Sequence, residues 1–138
     1  MIDLPDPRAK SRPGDQHILV IEDNDEGRDA LGQLLQLSGH SVQLAENGEK
    51  GLQLALRYPP AVAFIDISLP GLNGYEVARR LRSAPTSHKV YLVAMTGYTD
   101  PEDQRRAEQA GFDRYLVKPV DPQILLDLVD SLRSRSSV

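Results

Sequence analysis

The chain has 138 residues, 16 Lys and Arg against 20 Asp and Glu, a formal net charge of -4 and no cysteine. That length suits one domain with its own core, and the missing thiols exclude a disulfide framework, a thiolate metal centre and a cysteine nucleophile. The acidic balance argues against nucleic acid as a direct partner; no membrane span or signal peptide is visible, so a cytoplasmic protein is expected.

Residues 1–15 carry Pro5, Pro7, Pro13 and Gly14 with balanced charges and no periodicity, and read as a disordered tail or linker. A domain is expected over 16–134, with 135–138 as a C-terminal tail. Residues 17–22 (HILVIE) form a nearly continuous apolar run, and 61–66 (AVAFID), 90–96 (VYLVAMT) and 114–117 (RYLV) look alike. Such runs suit strands buried on both faces, whereas 41–45 (SVQLA) alternates as an edge strand does.

Helical stretches fall between the runs. The first covers about 26–38, with Leu31, Leu34 and Leu35 on one face and Gly39 as its stop. The second covers about 48–57, with Leu52 and Leu56 one turn apart. The third follows Asn73 as N-cap and carries Val77, Ala78 and Leu81. The fourth starts near Pro101 and ends at Gly111, with only Ala107 and Ala110 to turn inward. The last starts near Pro122, capped by Asp121, with a seam of Leu125, Leu128, Val129 and Leu132. The arginines Arg79, Arg80, Arg82, Arg105 and Arg106 read as solvated helix faces.

Five β-then-α units predict an α/β fold, a doubly wound five-stranded parallel sheet in the order 2-1-3-4-5, flavodoxin-like. Sites in such sheets lie beyond the carboxyl ends of the strands, where the winding reverses. Those ends carry Glu22 and Asp23, Asp66, Thr96, and Lys118. Taken singly, each has a plain structural reading as a cap, a β-former or a turn residue; together they form a constellation. At about 5 Å and an effective dielectric near 20, each carboxylate pair repels by about 3 kcal/mol. Either the pKa values rise or a cation joins the group. With hard oxygens and no His or Cys, the cation is Mg²⁺ or Mn²⁺, and a neighbouring lysine and hydroxyl suggest phosphoryl chemistry.

The motifs ILVIEDN, FIDISLPGLNGYE, VAMTGY and YLVKP, in this order, resemble the receiver (response-regulator) family of bacterial two-component phosphorelay systems. The resemblance covers about residues 17–132. It implies that Asp66 is the phosphoacceptor and that Glu22 and Asp23 are the acidic pair for Mg²⁺. The backbone carbonyl of Ser68 is implied as a third protein ligand. Thr96 is implied to bind the phosphoryl group and shift, Lys118 to pair with a phosphoryl oxygen, Tyr115 to be the aromatic switch and Pro119 to follow a cis bond. Glu22 stands where many members carry Asp. Tyr98, two residues past Thr96, is a candidate screen of the phosphoryl group from water.

The implied partners are a histidine kinase or a histidine phosphotransfer domain, and a downstream protein reached through the fourth helix, fifth strand and fifth helix. A monomer or a weak phosphorylation-dependent dimer is expected. The chain reads either as a stand-alone regulator or as a module of a hybrid kinase or larger regulator, without a separate output enzyme. An aspartyl phosphatase would place a carboxylate two residues past the nucleophile, where Ser68 stands. A nucleotide or flavin module would need a Gly-rich loop where EDNDEG lies. A pseudo-receiver that binds proteins without phosphorylation is the alternative.

Overall fold

The computed structural model describes residues 16–85, 89–97 and 101–136. Its elements alternate as β1 (His17–Ile21), α1 (Asp25–Leu37), β2 (Ser41–Ala45), α2 (Gly48–Arg57), β3 (Val62–Asp66), α3 (Gly74–Ser83), β4 (Tyr91–Thr96), α4 (Pro101–Ala110), β5 (Arg114–Val117) and α5 (Pro122–Ser136). All strand pairs are parallel, in the predicted order β2-β1-β3-β4-β5. The register levels the carboxyl ends: Ile21 faces Ala45 and Ile65, Asp66 faces Met95, and Thr96 faces Val117.

Successive residues of a strand point to opposite faces. Leu19, Ile21, Ala63, Ile65, Leu92 and Ala94 therefore meet one layer, made of α2, α3 and α4. Ile18, Val20, Val62, Phe64, Val93 and Met95 meet the other, made of α1 and α5. Complete burial of a side chain such as Phe64 or Leu125 contributes about 1.5–3 kcal/mol. By that measure α5, which buries Leu125, Leu128 and Val129, is held far more firmly than α4, which buries Ala107 and Ala110.

Three helices begin on asparagine caps. The side chains of Asn24, Asn47 and Asn73 accept from the N–H groups of Gly27, Lys50 and Glu76 at 2.8, 2.8 and 3.0 Å. Gly39 and Gly111 follow α1 and α4 with φ of 93° and 107°, a left-handed turn that glycine adopts without a Cβ penalty.

Three expectations need correction. Leu56 is exposed, and α2 buries Gly48, Gly51 and Ala55 instead. Any Cβ on Gly51 would collide with the Ile21 side chain, so small residues draw this helix onto the sheet and turn Leu56 outward. β5 is an edge strand and buries only Leu116. Arg82 is no solvated arginine: its guanidinium donates to the carbonyls of Gly111 (2.9 Å) and Val90 (2.7 Å) and to Asp113 Oδ2 (2.6 Å). Arg106 is exposed, as expected of a solvated helix face, and its guanidinium also lies over the Tyr75 ring at 4.3 Å, bridging α4 to α3. The expected tail over residues 1–15 lies outside the described residues, and α5 runs to Ser136, past the expected domain end.

Candidate functional site

Asp66 ends β3, the central strand, and Glu22 is the first residue past β1; both are almost wholly buried, while Asp23 is exposed. One carboxylate oxygen from each of Glu22, Asp23 and Asp66 lies within 4.8 Å of the others. The strand alternation turns Glu22 and Asp66 toward the α1 and α5 layer.

Lys118 answers the repulsion from inside. Its Nζ lies 2.5 Å from Glu22 Oε1 and 3.1 Å from Asp66 Oδ2. The Lys118 N–H donates to the Thr96 carbonyl at 2.6 Å, and the peptide joining Lys118 to Pro119 is cis, as the resemblance implied. Backbone donors hold the remaining oxygens. The Ser68 N–H reaches Asp66 Oδ1 at 2.9 Å, and the Asn24 N–H reaches Glu22 Oε2 at 3.2 Å.

These contacts divide the two buried acids. Burial raises the Glu22 pKa, and the Asp66 charge adds to it against the pull of Lys118. Burial pushes Asp66 up as well, but the Ser68 N–H, Glu22 and Lys118 outweigh it, so its pKa falls below the usual aspartate value. Burial opposes the charge on Lys118, yet Glu22 and Asp66 raise its pKa overall. The pocket at neutral pH therefore holds an ionised Asp66 against a protonated lysine.

Thr96 ends β4, is fully buried and faces the other layer, that of α2, α3 and α4. Tyr115 stands opposite Ala94 on that same face, half-buried, beside a cleft of about 200 Å³ lined also by Gln104, Ala107 and Phe112. A larger cleft of about 610 Å³ opens on the α1 side, bounded by Glu22, Lys118, Gly27, Leu31, Met95 and Val120. Ser68 and Pro119 are exposed at the rim. Tyr98 lies outside the described residues.

Sequence reasoning missed two contributors. One is the Ser68 N–H, a backbone group that no residue type announces. The other is Arg28, which donates to the Glu22 carbonyl at 2.9 Å; an arginine five residues past the acidic pair was its only signal. The donor set fits a hard divalent cation. Three carboxylates converge, no His or Cys is among them, and one of the three is exposed for entry.

A doubly wound sheet with an acidic pocket at its switch point, a lysine across the carboxylates and a buried threonine on the neighbouring strand end defines a receiver-type signalling domain. The family model for the response regulator receiver domain matches residues 18–130, and the chain belongs to that family. It is 40% identical over 119 residues to a cyclic di-GMP phosphodiesterase of Thermotoga maritima, covering 86% of this chain but only 31% of that protein. The receiver domain of Saccharomyces cerevisiae Ssk1, solved with the histidine phosphotransfer signaling protein Ypd1, superposes with a TM-score of 0.82 at 28% identity, covering 90% of this chain and 92% of that one. The receiver domain of a sensor histidine kinase from Pseudomonas aeruginosa superposes with a TM-score of 0.79 at 28% identity, covering 87% and 98%; that structure holds a magnesium ion in its active site cleft. Among the described residues, no helix is long and apolar enough to cross a membrane.

Proposed function

We propose that this domain accepts a phosphoryl group on Asp66 from a phosphohistidine and changes a protein-binding surface in response. The observation that carries the reading is the pocket itself: three carboxylates within 4.8 Å, two of them bridged by Lys118. An ionised Asp66 Oδ attacks phosphorus, an O–P bond forms, the P–N bond breaks, and the imidazole leaves with its electron pair and takes up a proton. Mg²⁺ or Mn²⁺, held by Glu22, Asp23, Asp66 and the Ser68 carbonyl, would neutralise phosphoryl charge when bound. Lys118 supplies positive charge to the same oxygens, and the Thr96 hydroxyl supplies a hydrogen bond.

Thr96 and Tyr115 share a sheet face, so a hydroxyl drawn toward the phosphoryl group leaves room for the tyrosine ring beside thinly packed α4. The surface of α4, β5 and α5 is the proposed readout for a downstream protein. The donor is a histidine kinase or phosphotransfer protein, the class seated with the yeast receiver domain. The domain is assigned to residues 16–134, with a tail or linker before it, a cytoplasmic location, and a monomer or a weak phosphorylation-dependent dimer. Tyr98 is assigned the shielding of the acyl phosphate, and Pro119 the aim of Lys118.

The test is intact mass after incubation with Mg²⁺ and a small phosphodonor, beside Asp66→Ala and a chelated sample. One added phosphoryl group, absent from both controls, is the expected result. No addition, even with a kinase and a beryllofluoride mimic, overturns the reading in favour of a pseudo-receiver that acts by protein binding alone.

A further inference from the structure

Two of the three converging carboxylates, Glu22 and Asp23, are carried by the β1–α1 connection, so its backbone sets their distance from Asp66. That connection is short: Glu22, Asp23 and Asn24 are all that separate β1 from α1. Lys118 draws Glu22 inward at its carboxylate, but a side-chain ion pair does not fix the backbone that also carries Asp23. The Glu22 N–H is held by the Ala45 carbonyl at 3.0 Å, which leaves the Glu22 carbonyl as the side of that backbone still to be fixed.

Arg28 is placed to do so. One arm of its guanidinium, Nη1, donates to the Glu22 carbonyl at 2.9 Å; the other, Nη2, donates to Asp25 Oδ1 at 2.5 Å. The Arg28 side chain is only 15% exposed while Asp25 is 84% exposed, so the arginine is packed and its acidic partner is not. An exposed carboxylate contributes little energy here; its part is to orient the fork. The Arg28 N–H makes the ordinary first helical bond, to the carbonyl of the N-cap Asn24 at 2.9 Å, so α1 begins directly beyond the loop. The guanidinium thus ties the carbonyl of Glu22, the first residue past β1, to Asp25 in the first turn of α1, spanning both edges of the segment that presents Asp23.

We propose that Arg28 is a positioning residue for the acidic pocket, setting the distance of Glu22 and Asp23 from Asp66 through its bond to the Glu22 carbonyl. The inference rests on the reading of the pocket as a cation-dependent phosphoacceptor. It assigns Arg28 a geometric role, with its charge secondary. A lysine keeps the charge but cannot span a carbonyl and a carboxylate with a planar fork. A purely electrostatic role predicts the reverse: lysine would behave as arginine, and a neutral residue would tighten cation binding.

The experiment compares wild type, Arg28→Lys, Arg28→Met and Asp25→Asn by Mg²⁺ titration calorimetry, thermal melting and amide exchange of the metal-free proteins. Arg28→Lys is expected to weaken Mg²⁺ binding about tenfold, the scale seen when a residue orienting a metal ligand is removed. Its melting temperature should stay near wild type, with faster exchange at the amides of Asp23 and Asn24. Asp25→Asn should stay within about twofold of wild type, as an exposed partner does. Wild-type affinity in Arg28→Lys, or tighter binding in Arg28→Met, overturns the inference while leaving the proposed function intact. If wild type binds no Mg²⁺, the proposed function fails and the exchange data decide: unchanged loop amides in both Arg28 variants overturn the positioning role, and faster ones support it.

Discussion

Gly74 opens α3 against the backbone of Asp66: a Cβ built on it would stand 2.6 Å from the Asp66 carbonyl oxygen and 2.6 Å from the Ile67 Cα. Both neighbours are main chain and cannot swing away as a side chain can. Gly74→Ala must therefore displace the turn that carries the acceptor. The expected cost is about 1–3 kcal/mol by denaturant unfolding, with a slower gain of phosphoryl mass at Asp66. Unchanged unfolding and an unchanged rate would show that the turn has slack the packing does not suggest.

Lys118→Met removes the cation shared by two buried acids. A fully buried pair broken this way loses about 3–5 kcal/mol; Lys118 is 31% exposed, so about 2 kcal/mol is expected in metal-free buffer at neutral pH. The pH response should also change, because Lys118 lowers the pKa of both acids while burial holds Glu22 above its ordinary value even in wild type. In wild type the depressed Asp66 pKa gives stability that is present above the ordinary aspartate value and lost as pH falls through the folded value. The raised Lys118 pKa gives stability that is complete below the ordinary lysine value and lost as pH rises through the folded one. In the variant the Ser68 N–H and Glu22 still pull Asp66 down, but the Lys118 pull on both acids is gone, so both folded pKa values rise relative to wild type and the variant's deficit narrows as pH falls through them. Melting from about pH 8 to about pH 4.5 checks this; parallel curves for the two proteins would remove Lys118 from its role as counter-ion.

Arg82 closes a knot at the opposite end of the sheet. Besides its own three bonds, its partner Asp113 accepts from the Leu92 N–H at 2.9 Å through the same Oδ2. Arg82→Met leaves a part-buried carboxylate and two carbonyls without this donor, and should cost about 2–4 kcal/mol. A double-mutant cycle with Asp113→Asn should give about 1–2 kcal/mol of coupling by denaturant unfolding. Independent, additive losses would mean the two side chains act separately.

Tyr75 lies under Arg106 and also packs into the cluster that Tyr115 joins. With so few apolar contacts on α4, this ring contact is a large share of what holds the helix. Arg106→Gln should lose about 0.5–1 kcal/mol and speed amide exchange along α4, whereas Tyr75→Phe keeps the ring face and should not. Equal exchange in both variants would rule the contact out as a restraint on α4.

The fold was legible because strands buried on two faces write themselves as unbroken apolar runs. Once the strand ends were set, Glu22, Asp23, Asp66, Thr96 and Lys118 fell on one edge by topology alone. Other features were not legible for a physical reason. Leu52 and Leu56 follow helical spacing, but the close approach of Gly51 to Ile21 decides which way α2 turns. β5 reads as a buried run because four residues carry too little pattern to separate an edge from a centre. Arg82 and Arg28 look like surface charges in the sequence. Their main partners are carbonyls, which every residue carries and no composition reveals.

The alternation of β4 sets Met95 toward α1 and α5 and Thr96 toward α2, α3 and α4. The two layers are thus addressed by odd and even positions of one strand, and a substitution at one position acts on one layer. Insertion is a different matter. A single extra residue in β4 would exchange the two addresses: the hydroxyl would turn to the wrong layer and the methionine would enter the cluster around Tyr115. Length is therefore a guarded property of this strand: descendants of this sequence should keep its residue count and Thr96 fixed, while its buried apolar residues exchange for others of like volume.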